Sequence, residues 1–296
     1  LARGNGAQAP AGWAVGTGMA VAMIATLPPR GHFATGTVTV LDDLTIEARV
    51  GTSEFGNGTT TVHAQLVATA LGVTVDRVRI VQSDTDAVAY DTGAVGSAGG
   101  VVAGKALYAA ALSLRAQVDA SGLQPGLTAT ATHDGTPRSV AFNVHAFRVA
   151  VDTATGAVPK GATEKVYEES IETADAPTVR NPEQLRRHLE GGTAQAIGTA
   201  LYEEMTLDGV GQVLTNALRN YHIPQFADVP VTEVYFATTS DPLGPLGAKS
   251  MSEAPYNPVA PALANAVRDA IGVRPLELPM SRDRLWRMLQ PSPAVV

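Results

Sequence analysis

The sequence predicts an α+β fold, with mixed sheets and packed helices, on three observations. Segments with the period-two alternation of strands and segments with the spacing of helices follow one another along the whole chain. Glycine-rich turns separate several of these segments. The 296 residues are 45% hydrophobic and 17% charged, a globular composition with enough apolar side chains for a sizeable core. We predict two lobes, at about 13–122 and 138–296.

Composition and charge exclude several classes of protein. The net charge of −7 and the absence of a basic run argue against a nucleic-acid-binding protein. Because the chain has no cysteine, it forms neither disulfides nor thiolate metal sites. Its apolar stretches are too short and too interrupted to predict a transmembrane helix. Residues 1–12 are predicted to be a loop, and the start at Leu1 indicates a processed product, a fragment or a chain whose start was not recorded.

The first half of the chain has clear strand and helix patterns. Leu44–Val50 alternates apolar and polar residues, and Asp42-Asp43 before it is typical of a hairpin turn. Gly72 is placed to end the helix that precedes it. The predicted strands are Ala20–Leu27, Ala34–Leu41, Leu44–Val50 and Val78–Val81, and the predicted helices are Thr59–Leu71 and Val101–Val118.

The second half is less regular. Residues 119–140 are predicted to be a loose connection, and the glutamate-rich residues 157–178 a solvated surface. Asn181-Pro182 predicts a capped helix start. Inside that helix, Gly191-Gly192 costs about 2 kcal/mol against alanine, which indicates either a break or a close approach. The predicted strands are Val140–Asp152 and Thr232–Thr238, and the predicted helices are Asn181 to about Met205, Val259–Ile271 and Ser281–Leu289.

The stretch Gly51–Leu107 contains two glycine-rich turns, each just ahead of a predicted helix. One is Gly56-Asn57-Gly58 and the other is Gly93–Gly100. Glycine lets a ligand approach the backbone, and helix N-termini offer N–H groups to anions, so the two turns favour a phosphate-bearing ligand. Such turns also occur as simple connections that bind nothing. A P-loop is excluded because Asn57 stands where its lysine is required, and no G-x-G-x-x-G fingerprint opens either helix.

Few side chains are arranged for catalysis. The six histidines have no metal-ligand spacing, and the chain has no G-x-S-x-G elbow. The loop Gly247–Pro255 places Glu253 among small residues that leave room for a substrate. Burial there would raise the pKa of its carboxyl toward that of a general base. The alternative is a solvated loop acid, or a charge in the first turn of the following helix.

Four segments carry motifs that occur together in one family. They are, in order, EFGNGTTTV, SDTDAVAYDTGAVGSAGGVVAGKAL, LEGGTAQAIGTALYEEM and GAKSMSEAPYNPVAPALANAVRDAIGVRPLELP. The first resembles the E-x-G-Q-G-x-x-T-V stretch of the xanthine dehydrogenase and aldehyde oxidase family of molybdenum hydroxylases, and the second resembles that family's next block, with its Gly-Ser cofactor turn. The last two resemble its E-G-G-x-x-Q-G-I-G helix and its K-G-x-G-E-P-P…A-I-x-D-A-x-G block. The resemblance covers about residues 1–290 and implies the C-terminal half of the molybdopterin-binding large subunit.

The resemblance implies a set of residues that contact the cofactor. They are Phe55, Gly56, Asn57, Ala94, Gly96, Ser97 and Gln195. The first three would contact the pterin and its molybdenum, with the amide of Asn57 on a shorter arm than the family's usual glutamine. The next three would line the second turn through N–H groups and a hydroxyl, and Gln195 would donate its amide. Glu253 would be the general base of the reaction.

The same resemblance implies a cofactor and partners. The cofactor would be molybdopterin with molybdenum, expected as the cytosine dinucleotide, and its dithiolene rather than the protein would hold the metal. The reaction would be the hydroxylation of an aldehyde or an N-heteroaromatic carbon with oxygen from water. Electrons would pass to partner chains carrying 2Fe–2S clusters and FAD, because this chain has no cysteine to hold a cluster. We expect a cytoplasmic, multisubunit enzyme without a membrane or nucleic-acid partner.

The chain departs from the family pattern in several places. Ser252 stands where glycine usually precedes the catalytic glutamate, Pro177 stands where a glycine is usual, and residues 157–178 are longer and more acidic. The family's upstream half is missing, so we predict that this chain alone is inactive and requires a complementary half of the large subunit. Two alternatives stay open: a non-catalytic partner that retains the fold, and a generic anion- or nucleotide-binding α/β module.

Overall fold

The computed structural model describes residues 11–25, 31–137, 140–158, 169–176, 181–251 and 253–290. These residues form two four-stranded sheets with helices packed on them, which confirms the predicted α+β fold. The strands are β1 Trp13–Ile24, β2 Phe33–Val40, β3 Ile46–Val50, β4 Val78–Gln82, β5 Thr128–Asp134, β6 Ala141–Asp152, β7 Glu169–Ala174 and β8 Thr232–Phe236. The helices are α1 Thr59–Leu71, α2 Gly104–Ser121, α3 Pro182–Leu201, α4 Val259–Ile271 and α5 Arg282–Leu289.

The first sheet has the order β4-β3-β2-β5 and is covered by α1 and α2. Its core is built from strand residues such as Val38 and Ile46 and from the alanine- and leucine-rich face of α2, where Leu107 and Leu114 are fully buried. The stretch Val95–Ser121, which includes α2, has the length and a mean hydropathy of 1.3 that a membrane span requires, although the sequence predicted no such segment. Half of it is buried, and it packs on the sheet as the core helix of a globular domain.

The second sheet has the order β1-β6-β7-β8, in which β1, β6 and β7 are antiparallel and β8 is parallel to β7. Helix α4 lies directly on β1. A Cβ atom built on Gly16 would be 2.2 Å from the backbone nitrogen of Ala270, and one on Gly18 would be 2.2 Å from that of Ala266. The two glycines therefore allow a helix backbone to touch a strand, which is a contact that any side chain would prevent.

This contact explains a wrong prediction. The first strand was predicted over Ala20–Leu27, but it begins at Trp13 and ends at Ile24. Glycine weakens strands in general, so Gly16 and Gly18 gave no strand signal.

The lobes at about 13–122 and 138–296 stay a prediction. Strand β1 pairs with β6 along its whole length, and so joins a sheet whose other strands come from the second half of the chain.

Two strands were missed because their residues are polar. Strand β5 lies inside the predicted loose connection, and its threonines pair with those of β2 through three hydroxyl–hydroxyl hydrogen bonds of 2.9 Å. Strand β7 lies inside the predicted solvated surface, yet it is an inner strand and its Glu172 is fully buried. Residues 159–168 and 177–180, with the remainder of that acidic segment, lie outside the described residues.

Most of the other elements are confirmed. Helix α1 has the predicted bounds and ends at Gly72, and α4 also has the predicted bounds. Asn181 caps α3 as predicted, since its side chain accepts a hydrogen bond of 3.2 Å from the Gln184 N–H. Helix α3 runs without a break through Gly191-Gly192 and ends at Leu201 rather than near Met205. The predicted loop at residues 1–12 is a turn at residues 11 and 12, and its other residues lie outside the described ranges.

Candidate cofactor-binding site

The first glycine-rich turn is organised by Glu54. Its carboxylate accepts hydrogen bonds from the N–H groups of Gly56 (2.7 Å), Gly58 (2.9 Å) and Thr60 (3.0 Å), so it caps the start of α1 from within the chain. These hydrogen bonds hold the pKa of Glu54 below its usual value, although burial acts in the opposite direction. The expectation that this turn offers its N–H groups to an anion is therefore wrong for these three groups.

The turn instead presents side chains. Phe55 is 70% exposed, and Asn57 is half-buried. The Asn57 Oδ1 atom accepts a hydrogen bond of 3.0 Å from the Thr59 hydroxyl, which orients the amide at the first residue of α1. A Cβ atom built on Gly56 would meet no atom within 4 Å, so the backbone of this turn is open to a ligand.

The second turn has an unusual backbone. Gly96 and Ser97 are consecutive residues in the left-handed conformation, with φ of 61° and 62°. For a serine this conformation is uncommon, and it persists only where neighbouring contacts hold it. The Ser97 Oγ atom accepts a hydrogen bond of 3.3 Å from the Met251 N–H, and the Ser250 hydroxyl lies 3.1 Å from the carbonyl oxygens of both Gly96 and Ser97. The loop that carries Glu253 is thus hydrogen-bonded directly to this turn.

The two turns also touch each other. A Cβ atom on Gly99 would lie 2.7 Å from the Thr59 side chain at the start of α1. The buried His63 of α1 donates from Nε2 to the Gly99 carbonyl at 2.9 Å, and burial lowers the pKa of His63, so it is a neutral core histidine. The turns are therefore fixed relative to each other by packing at the N-terminus of α1.

The loop Gly247–Pro255 is anchored on its other side by an ion pair. Lys249 Nζ lies 2.6 Å from Asp175 Oδ2 at the end of β7, and both side chains are nearly buried. Burial raises the pKa of Asp175, but the hydrogen bonds from Lys249 and Thr239 outweigh it and hold the pKa below its usual value. The sequence analysis gave no role to Lys249, which the structure places as the anchor of this loop.

Glu253 itself is exposed to solvent, so its predicted burial is wrong for this chain alone. Its neighbours explain the difference. Met251 and Ala254 are buried in the core between α3 and the second sheet, whereas Glu253 is on the solvent side. The backbone carbonyl of Glu253 accepts hydrogen bonds from the N–H groups of Tyr256 and Asn257, which fixes the turn ahead of α4. Ser252 lies outside the described residues.

Helix α3 completes the arrangement. Gly192 packs on the loop, with a built Cβ atom 3.1 Å from the Pro255 Cβ. The Tyr256 hydroxyl donates a hydrogen bond of 2.8 Å to the Thr199 Oγ1 atom. Gln195 lies between these two contacts on the helix, about one turn from each, and is exposed. The start of α3 reaches the first turn, since a Cβ atom on Gly58 would lie 2.3 Å from Gln184 Oε1.

The result is an open surface rather than an enclosed pocket. Phe55, Tyr90 and Val95 are exposed around it, and a Cβ atom on Gly93 or Gly100 would meet no atom within 4 Å. Within the described ranges, no group of three or more His, Asp or Glu side chains is arranged to hold a metal ion. The surface could hold a large ligand against its open glycines, with amide and hydroxyl groups around the ligand's edge.

Comparison with known proteins identifies the family. The family described as "Molybdopterin cofactor-binding domain" matches residues 2–123 and 118–230 of the chain. This chain is a molybdopterin cofactor-binding domain. The predicted resemblance to the large subunits of xanthine dehydrogenase and aldehyde oxidase is therefore confirmed.

Relatives of this cofactor-binding domain are large subunits of molybdenum oxidoreductases. The xanthine dehydrogenase molybdenum-binding subunit of Escherichia coli O157:H7 is 30% identical over 288 residues, which are 82% of this chain and 38% of the relative. The carbon monoxide dehydrogenase large chain of Hydrogenophaga pseudoflava is 27% identical over 82% of this chain and 35% of the relative. The chain thus spans little more than a third of the length of these relatives.

A solved structure shows the same fold. Quinoline 2-oxidoreductase from Pseudomonas putida 86 superposes with a TM-score of 0.84 at 26% identity, over 95% of this chain and 42% of that chain. The Cu,Mo-CO dehydrogenase has the same TM-score of 0.84 at 23% identity, over 93% of this chain and 41% of its own, and so shares the fold.

The residues present fit one side of a site for the family's cofactor. The open backbone at Gly56, Gly93 and Gly100 leaves room for a flat ring system against the turns. Ser97 and Gln195 place polar groups at the edge of the same surface.

Proposed function

We propose that this chain is the C-terminal, cofactor-binding and catalytic part of a molybdenum hydroxylase large subunit. Its reaction would hydroxylate an aldehyde or N-heteroaromatic carbon with oxygen from water. The observation that carries the proposal is the hydrogen bonding between the loop of Glu253 and the turn at Gly96 and Ser97. It joins the candidate base to a cofactor-binding turn more than 150 residues away in sequence.

The proposed cofactor is molybdopterin, in its cytosine dinucleotide form, and it supplies the two-electron oxidation when bound. Asn57 and Gln195 would hold polar edges of the cofactor with their amides, and Phe55 would pack on its ring system. Ala94, Gly96 and Ser97 would bind it at the second turn, with Gly56 leaving space at the first. The proposal is supported by the position of these residues on the two turns and on α3, segments that contact each other or the Glu253 loop.

Glu253 would accept the proton that the attacking water-derived oxygen loses. A general base of this kind works near neutral pH only when its carboxyl is shielded from water, because shielding raises its pKa. Glu253 is exposed in this chain, so the shielding must come from another part of the enzyme. We therefore propose that the chain is inactive alone and that the complementary half of the large subunit covers the site.

Two exposed apolar surfaces support such a partner. The segment between α3 and β8, residues 202–231, exposes Leu218 (77%), Phe226 (99%) and Val231 (91%), although turns and hydrogen bonds order its backbone. The outer face of the second sheet exposes Met19, Val21 and Met23 of β1 and the adjacent Phe142 of β6. Exposed patches of this kind mark protein–protein interfaces. Chains carrying 2Fe–2S clusters and FAD would complete a cytoplasmic complex.

The test is Glu253→Gln in the native complex purified through this chain. The variant keeps the size of the side chain but cannot accept a proton, so turnover should fall about 10²- to 10⁴-fold while molybdenum stays bound. Glu277→Gln, an exposed acid on another surface, is the matched control and should keep full turnover. Unchanged turnover in Glu253→Gln would contradict the assignment of Glu253 as the base.

A non-catalytic subunit that retains the fold is the second candidate. It is favoured by the exposure of Glu253 and by the capping of the first turn by Glu54 rather than by a ligand. The same experiment separates the two, because a non-catalytic chain predicts equal turnover for wild type, Glu253→Gln and the control.

A further inference from the structure

A cluster of polar side chains is buried in the second sheet, on the face covered by α3. Its members share nearly complete burial and come from three strands and one helix. They are Asn143 and His145 of β6, Ser170 and Glu172 of β7, Thr232 of β8 and Thr193 of α3. Neither the proposed cofactor contacts nor the proposed base uses any of them.

Glu172 is the centre of the cluster. Its Oε2 atom accepts a hydrogen bond of 3.1 Å from the Thr193 hydroxyl, and its Oε1 atom contacts the side-chain amide of Asn143. His145 Nδ1 lies 4.0 Å from Glu172 Oε2. The other ring nitrogen of His145 shares a 2.9 Å hydrogen bond with Ser170, whose hydroxyl lies 2.9 Å from that of Thr232. One carboxyl group thus joins the helix to the sheet.

Burial favours the neutral form of both titratable groups in the cluster. Burial raises the pKa of Glu172 to about 8, against the hydrogen bonds from Thr193 and Asn143, and burial lowers the pKa of His145 to about 4. A buried carboxyl can be retained in this way because its neutral form avoids the cost of an unpaired buried charge. His145 on β6 is the titratable group that faces it, while β8 contributes Val234 and Thr232 and α3 contributes Thr193.

The cluster lies directly behind the part of α3 that faces the candidate site. Thr193 follows Gly191-Gly192, the weakest point of the helix, where two glycines cost about 2 kcal/mol against alanine. Gly192 packs on Pro255 of the Glu253 loop, and Gln195 is two residues beyond Thr193. The hydrogen bond of Thr193 therefore ties α3 to the sheet beside its two glycines.

We propose that Glu172 is a positioning residue for the cofactor site: through Thr193 it fixes α3 on the sheet and so holds Gln195 and the Gly192–Pro255 contact in place. The role of Gln195 at the cofactor rests on the proposed function. The coupling between Glu172 and α3 rests on the Thr193 hydrogen bond alone. Ionisation of Glu172 places a charge in this buried cluster, and the cost of burying that charge opposes the packing of α3 on the sheet. Its folded-state pKa is above its unfolded value, so the stabilisation is complete below about pH 4.5 and is lost as the pH rises through about 8.

The coupling can be measured on the full chain by hydrogen exchange at about pH 6 and pH 9, expressed as protection factors to remove the intrinsic effect of pH. In the wild type, protection of residues 191–195 should fall about 10-fold or more at the higher pH, relative to α4 as an internal reference. Glu172→Gln keeps an acceptor for Thr193 and cannot ionise, so it should remain protected at both values. Glu172→Leu removes the acceptor and should lose protection at both. Glu169→Gln, on the exposed side of the same strand, is the control and should follow the wild type.

Equal protection of residues 191–195 in all variants at both pH values would overturn the proposal, as would a Glu172→Gln variant that behaves like Glu172→Leu. If the leucine variant does not fold, the wild-type pH profile and its rescue in Glu172→Gln still decide the question. Molybdenum content of the native complex is measured separately. A complex without molybdenum would contradict the proposed function and leave the exchange result unaffected, so the two failures are distinguishable.

Discussion

The first glycine-rich turn depends on one side chain, which gives a sharp prediction. In Glu54→Ala, the N–H groups of Gly56, Gly58 and Thr60 lose their shared acceptor, and the Thr59 hydroxyl loses a partner at 3.3 Å. We expect the free energy of unfolding to fall by about 2–3 kcal/mol. Loss of an N-cap typically costs about 1 kcal/mol, and hydrogen bonds to a charged group contribute about 1.5–3 kcal/mol each before solvent screening and non-additivity reduce the sum.

The assay is urea denaturation of the full chain at pH 7, followed by circular dichroism. Glu54→Gln keeps one oxygen acceptor without the charge, so it should lose about half as much stability as Glu54→Ala. Glu183→Ala removes an acid from an exposed pair with Arg187 on α3 and is the matched control, with an expected change below about 0.5 kcal/mol.

The pH dependence provides an independent check. The pKa of Glu54 is lowered on folding, so its contribution is present above the unfolded value of 4.5 and is lost as the pH falls through the folded value. The difference between wild type and Glu54→Ala should therefore shrink in acid. If Glu54→Ala were as stable as the control at pH 7, or if the difference persisted unchanged in acid, the reasoning about this turn would be refuted.

Three further changes test the framework of the site. Gly18→Ala should destabilise the fold by about 3 kcal/mol or more, because its Cβ atom would lie 2.2 Å from a backbone nitrogen of α4. Gly209→Ala is the control and should be neutral in the same melting assay, because a Cβ atom there would meet no atom within 4 Å. Lys249→Met should cost about 3 kcal/mol by leaving Asp175 without its cation, and adding Asp175→Asn should restore part of that loss; an additive double variant would count against the ion pair. Phe226→Ser should leave the melting temperature unchanged, since the ring is 99% exposed, while reducing the amount of partner chain that co-purifies with it. Undiminished co-purification would argue against a docking role for this segment.

Local sequence signals predicted the elements whose first and last turns are marked by capping or terminating residues. Helix α1 has apolar spacing and a glycine at its end, and α3 has an Asn-Pro start, so their positions follow from the chain itself. Strand β5 was missed because its exposed threonines pair with those of β2, which lies far away in sequence. Strand β7 was missed because Glu172 is buried only by partners from distant parts of the sequence. Glu172 is the clearest example. Its glutamate- and lysine-rich segment predicts a solvated side chain, but pairing within the sheet buries it completely.

The sequence predicted which segments belong to the candidate site, but not how those segments contact each other. The motif resemblance selected the turns, the Glu253 loop and α3, and the structure brings these segments together. The motif resemblance could not show that Glu54 caps the first turn, or that the Ser250 hydroxyl donates a hydrogen bond to Gly96, 154 residues earlier in the sequence. Such contacts leave no spacing pattern in a sequence. The sequence left open whether Glu253 is buried or is a solvated loop acid, because its exposure depends on Met251 and Ala254 filling the core.

We propose that this chain contributes one side of a molybdopterin site within a larger enzyme. Metal analysis and mass spectrometry of the native complex, purified through this chain, test this role without an activity assay. We expect stoichiometric molybdenum with a pterin nucleotide, and loss of both in a Ser97→Ala/Gln195→Ala variant whose partner chains still co-purify. A native complex that contains neither molybdenum nor pterin, or a double variant that retains both in full, would contradict it.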